Sequence, residues 1–134
     1  MAKKNDEKQD RTVEHMINRR TIGAEKENTA IAYLEKNGMK IVAHNYRNKQ
    51  GEIDIIGYHE GYLVFVEVKY RRDDKKGAPE EAVDSRKQRI ICKVADYYRY
   101  CHNIGDFNPI RYDVVAICGN EINWYQNAFW HMGR

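Results

Sequence analysis

The run Leu63-Val64-Phe65-Val66-Glu67-Val68-Lys69 limits this chain most, because a stretch apolar on both strand faces ends in two opposite charges. Such a strand needs neighbours on its edges and layers over both faces, which predicts a central, buried strand in an α/β protein. Period-two alternation sets Leu63, Phe65, Glu67 and Lys69 on one face and the three valines on the other, making Glu67 and Lys69 neighbours.

The preceding run, Gly51 to Tyr58, reads as a second strand. A two-residue connection at Glu60-Gly61 pairs His59 with Tyr62 and therefore Asp54 with Glu67, on the expectation that Glu52, Asp54 and Ile56 share a face. An odd connection that pairs Tyr58 with Tyr62 turns Asp54 away, so the parity of this turn is decisive.

Two partly buried carboxylates repel each other, and a hard divalent cation relieves that repulsion through oxygen ligands. Mg²⁺ or Mn²⁺ on Asp54 and Glu67 can polarise a phosphate and acidify a water, while Lys69 orients that water or stabilises developing charge. Phosphodiester hydrolysis is the reaction this chemistry fits. The same residues also fit a plain ion pair between Glu67 and Lys69, with Asp54 accepting backbone hydrogen bonds, and both readings stand at this level.

The remaining elements follow from pattern. Residues 3–10 carry no apolar side chain, so 1–17 is expected to be a flexible extension and 18–134 one domain. Val13, Met16 and Ile17 have helical spacing, and a stronger helix follows over 22–37, where Ala30, Ile31 and Leu34 form a stripe before Gly38. Lys40 to Tyr46 predicts a first strand, with a turn at Arg47-Asn48-Lys49.

After the charged loop at 72–77, Pro79-Glu80-Glu81 suits the first turn of a helix. Ser85 and Gln88 fit a capping box for a helix running to about His102. Arg111 to Cys118 and Glu121 to Tyr125 predict two more strands joined at Gly119-Asn120. The helix between the third and fourth strands permits a parallel crossover, giving a mixed sheet flanked by helices.

Several motifs together carry a family resemblance. They are Asn18, Arg19 and Gly23; Glu27, Ala30, Tyr33 and Leu34; Gly51-Glu52-Ile53-Asp54; Val64-Phe65-Val66-Glu67-Val68-Lys69; Arg111-Tyr112-Asp113-Val114-Val115; and Asn127-Ala128-Phe129. Over residues 18–129 the chain resembles the bacterial YraN-like family, which is similar to the PD-(D/E)XK nuclease superfamily and its Holliday-junction resolvases. The resemblance implies a restriction-endonuclease-like fold and a metal-dependent, structure-specific DNA endonuclease. It places Asp54 and Glu67 as metal ligands, Lys69 as the catalytic lysine and Glu27 as a further catalytic or metal-ligating carboxylate.

Glu27 also points with the apolar stripe of its helix, although a carboxylate near a helix start is favoured by the dipole alone. Lys26 stands where the family usually has glycine, and Ile53 stands where a proline gives the superfamily its name.

Candidate nucleic-acid contacts are Arg71, Arg72, Lys75, Lys76, Lys87 and Gln88. For the last two, surface charge and the capping box are sufficient explanations. Asp113 reads as an arginine partner rather than a catalytic group. Trp124, Phe129 and Trp130 read as core or subunit contact.

Composition narrows the field further. A net charge of +3, from 23 basic and 20 acidic residues, argues nothing for nucleic acid without local clustering. Three cysteines without paired spacing disfavour a zinc or disulfide framework, and no histidine sits in an HExxH or serine-triad context. The polar start and the absence of any apolar run near ~18 residues predict a cytoplasmic protein without membrane contact.

The expected partner is DNA, with branched DNA and a homodimer implied by the resolvase resemblance. A non-catalytic nucleic-acid-binding or adaptor protein on the same fold is the competing class. An interaction module built on Tyr97, Tyr98 and Tyr100 is a third.

Overall fold

The computed structural model describes residues 23–71 and 83–133. Helix α1 covers 23–36 among these and ends at Gly38, whose φ of 97° is one that glycine adopts without strain. Strands β1 (Lys40–Asn48), β2 (Gly51–His59) and β3 (Tyr62–Arg71) follow, then α2 (Ser85–Cys101), β4 (Ile110–Cys118) and β5 (Glu121–Phe129). The expected helix turn at Pro79, the helical spacing at Val13 to Ile17, and the 1–17 extension with its proposed boundary to the domain lie outside the described residues.

The sheet order is β1-β2-β3-β4-β5, so β3 is central as its two-faced apolar pattern predicts. β3 and β4 run parallel through the α2 crossover, and every other pair is antiparallel. This is an α/β fold with a mixed sheet flanked by helices, compatible with a restriction-endonuclease-like arrangement.

Each sheet face has its own core. Leu63, Phe65, Tyr112 and Val114 pack with Ile91, Val94 and Tyr98 of α2, whereas Val64, Val66, Val115 and Ile117 pack with Ala30 and Leu34 of α1. Gly51 brings the β1–β2 turn against α2, because a Cβ there would strike Ile90 Cγ2.

Several boundaries differ from expectation. The first turn is Lys49-Gln50 rather than Arg47-Asn48-Lys49, since Asn48 pairs with Gly51 and its Oδ1 accepts the Gln50 N–H at 2.8 Å. The α2 cap is Asp84, not Ser85: its Oδ1 accepts the Lys87 N–H at 2.8 Å. β5 runs to Phe129 because Asp113 anchors its far half, accepting from Trp124 Nε1 at 2.8 Å and from the Asn127 N–H at 2.9 Å. Phe129 is buried, but Trp130 is 78% exposed, so the core reading fails for Trp130, which follows the last β5 residue. Tyr98 belongs to the core, while Tyr97 and Tyr100 are exposed.

Among the described residues no helix is long and apolar enough to cross a membrane.

Candidate functional site

The Glu60-Gly61 turn has the required parity: His59 pairs with Tyr62, and the register continues to Ile55↔Val66. The next residues in that register are Asp54 and Glu67. There β2 parts from β3, and Asp54 Oδ2 accepts the Val68 N–H at 2.8 Å. A side-chain carboxylate thus satisfies a donor that a continuing ladder would have used.

The simple face assignment of β2 does not hold. Ile53 and Ile56 both join the α2-side core, with Ile55 on the other side. The cause lies on the neighbouring strand: between the pairs His44↔Ile55 and Tyr46↔Ile53, Asn45 stands opposite Asp54 with φ of 51°. That left-handed residue breaks the pleat of both strands, since Ala43 and Tyr46 likewise face the same core. Asp54 consequently reaches groups on both faces, interacting with Glu27 from α1 and with Glu67 near α2.

Asp54 and Glu67 lie close enough for each carboxyl group to act on the ionisation of the other. Burial pushes the Glu67 carboxyl up to about 7, and the adjacent Asp54 charge adds to the effect. Burial likewise raises Asp54, against the Val68 N–H that favours its ionised form. Lys69 Nζ lies 4.0 Å and Lys87 Nζ 3.9 Å from Glu67 Oε1, so two cations from different elements flank the carboxyl. Glu67 is 8% exposed, and both lysines reach it from the solvent side.

On the α1 side of Asp54 an open cleft of about 360 Å³ is lined by Glu27, Asn45, Glu52, Val68 and Tyr70. The Glu27 carboxyl is raised by burial and then by Asp54; its Oε1 is buried and has no hydrogen-bond partner among the described residues. His44 Nδ1 lies 4.0 Å from this oxygen. Lys26 borders the same cleft, with Nζ 4.5 Å from the Tyr70 ring centroid.

Among the described residues no group of three or more His, Cys, Asp or Glu side chains is drawn together closely enough to hold an ion. The donor chemistry nonetheless suits a hard divalent cation: buried carboxylates that resist ionisation, oxygens only, and an orphaned oxygen on Glu27.

The other expected contacts divide. Lys87 joins the site, because the first turn of α2 sits over Glu67. Gln88 does not; its Nε2 donates to the Val83 carbonyl at 2.8 Å and anchors the helix start outside any capping box. Arg71 ends β3 two residues beyond Lys69. Arg72, Lys75 and Lys76 lie outside the described residues. Asn45 is the cleft-lining neighbour of Asp54 that pattern reading missed, and its signal was the tolerance of asparagine for left-handed backbone. Asp113 is fully buried and holds Arg111 Nε and Nη2, each at 2.9 Å, as its arginine-partner reading predicts.

A family model described as "Uncharacterised protein family UPF0102" matches residues 26–117. The chain is 46% identical over 113 residues to a UPF0102 protein of Lachnoclostridium phytofermentans, covering 84% of this chain and 96% of that one. A Fusobacterium nucleatum UPF0102 protein is 42% identical over 114 residues, covering 85% and 95%. One from Shewanella denitrificans is 41% identical over 109 residues, covering 81% and 99%.

Proposed function

This chain belongs to the uncharacterised protein family UPF0102, whose description names no activity, and we propose that it is a metal-dependent DNA endonuclease acting on branched DNA. The observation that carries the reading is the carboxyl pair Asp54–Glu67 at the parting of β2 and β3, flanked by Lys69 and Lys87. The likeness of Gly51-Glu52-Ile53-Asp54 and Val64 to Lys69 to the PD-(D/E)XK signature supports it.

Asp54 and Glu67 would hold Mg²⁺ or Mn²⁺, with Glu27 as a further ligand or water acceptor across the cleft. Such an ion, when bound, supplies Lewis acidity toward a phosphate oxygen and a more acidic water. Lys69 donates to the attacking water or to charge developing on the phosphate. Lys87, from α2, adds a second positive charge toward the phosphates of the strand. Asn45 lines the same cleft as Glu27 and favours its ionised form.

Purified protein should cut four-way or flapped DNA in Mg²⁺ or Mn²⁺ in preference to linear duplex, and chelation should stop it. The two-fold symmetry of a junction suits a homodimer, which light scattering tests.

Glu67 held as a plain ion pair by Lys69 and Lys87 favours one second reading, a non-catalytic DNA-binding or adaptor protein. Salt-sensitive DNA binding without cutting in either metal would select it.

A further inference from the structure

Beside the carboxyl pair, a groove of about 500 Å³ opens between the β1–β2 turn and the start of α2, lined by Arg47, Asn48, Lys49, Glu52 and Lys87. Its charge is basic on balance, because the acid among them, Glu52, is held by Arg47 Nε at 3.3 Å. Asn48 adds a directional feature. Its Oδ1 is committed to the Gln50 N–H at 2.8 Å, which orients the amide, and its Nδ2 is buried with no hydrogen-bond partner among the described residues. With Glu52 already paired, the Lys49 and Lys87 ammonium groups leave the groove suited to a ligand rich in acceptors and negative charge.

Lys87 belongs both to this groove and to the site, with its Nζ 3.9 Å from Glu67 Oε1. An anion in the groove therefore lies beside the carboxyl pair rather than on it, as the next phosphodiester of a strand already in the site would.

We infer that this groove is a phosphate subsite for the substrate strand, taking a phosphodiester that flanks the scissile one, with Lys49 and Lys87 as cations and Asn48 holding the turn that carries Lys49. The choice of DNA as ligand rests on the nuclease reading; the subsite rests on the groove itself.

The test is binding of a labelled four-way DNA by the full chain in chelator, followed by anisotropy across a salt series. Lys49→Ala should reduce the slope of log K against log salt by about 0.9, the value of one lost phosphate contact. Asn48→Ala should weaken binding about fivefold with the slope unchanged. Asn48→Asp keeps the turn acceptor and so guards against a folding artefact, and it should weaken binding further. Lys40→Ala, at the opposite end of β1, should behave as wild type.

Wild-type affinity and slope in both Lys49→Ala and Asn48→Asp would overturn the subsite. Displacement of the DNA by inorganic phosphate, beyond that caused by chloride at equal ionic strength, would overturn its assignment to a strand. Cutting of the same DNA in Mg²⁺ is scored separately. Shifted slopes without any cutting sink the nuclease reading and keep the subsite, while cutting with unshifted slopes does the reverse.

Discussion

Asp54 Oδ2 accepts the backbone N–H of Val68 at 2.8 Å, so a carboxylate from β2 occupies the place where the β2–β3 ladder would otherwise continue. This bond holds Asp54 at the end of the β2–β3 ladder, beside Glu67. It also explains how two acids that burial holds toward protonation persist side by side.

The first expectation concerns pH in the absence of metal. Burial raises the Glu67 carboxyl from 4.5 to about 7, so between those values the folded state holds more protons than the unfolded state. Stability should therefore fall as pH rises through that window, by up to about 3 kcal/mol. Urea unfolding at a series of pH values measures it, and Glu67→Gln should flatten the curve. A flat wild-type curve would mean that Glu67 is not desolvated as described.

Divalent cation should reverse that loss. An ion that binds the ionised pair stabilises the fold more at pH 8, where the carboxyls are charged, than at pH 5, where protons compete. Thermal unfolding with and without Mn²⁺ is the measurement. A rise in Tm equal at both pH values, or preserved in Asp54→Ala with Glu67→Ala, would point to binding elsewhere.

The two lysines near Glu67 should separate by function. Lys69→Ala should slow cutting about a hundredfold while sparing Mn²⁺ affinity, because it acts on the water and the phosphate rather than on the ion. Lys87→Ala should weaken DNA binding and lower its salt slope more than it slows the bound complex. Single-turnover rates at saturating protein distinguish the two; equal loss of turnover in both would merge their roles.

On the neighbouring strand β4, opposite Val66, Asp113 should matter for stability alone. It is fully buried and accepts from Arg111, Trp124 and the Asn127 backbone, so Asp113→Ala leaves the buried Arg111 cation uncompensated. The loss should be about 3–5 kcal/mol in urea unfolding. A change below 1 kcal/mol would show that the network is dispensable.

Much of this arrangement was legible in the chain. The two-faced apolar pattern of Leu63 to Val68 marked the central strand, and the parity of Glu60-Gly61 set Asp54 level with Glu67, because strand period and turn length act locally. What escaped pattern reading depends on tertiary placement. Asn45 breaks the pleat through a single left-handed residue, Asp84 caps α2 one position before the expected Ser85, and Lys87 becomes a neighbour of Glu67 only because α2 crosses over β3. Trp130 failed for a related reason, since composition cannot say on which side of the last strand residue the core stops.

The central claim is that Asp54 and Glu67 together support metal-dependent phosphodiester cleavage. Its most direct test is cutting of a four-way DNA under a Mn²⁺ titration by the wild type, Asp54→Asn and Glu67→Gln, with each variant's folding checked by circular dichroism. Cleavage that saturates with Mn²⁺ in the wild type and falls at least a hundredfold in both variants is expected. Undiminished cleavage in the folded variants, or none in the wild type at any metal concentration, would contradict it.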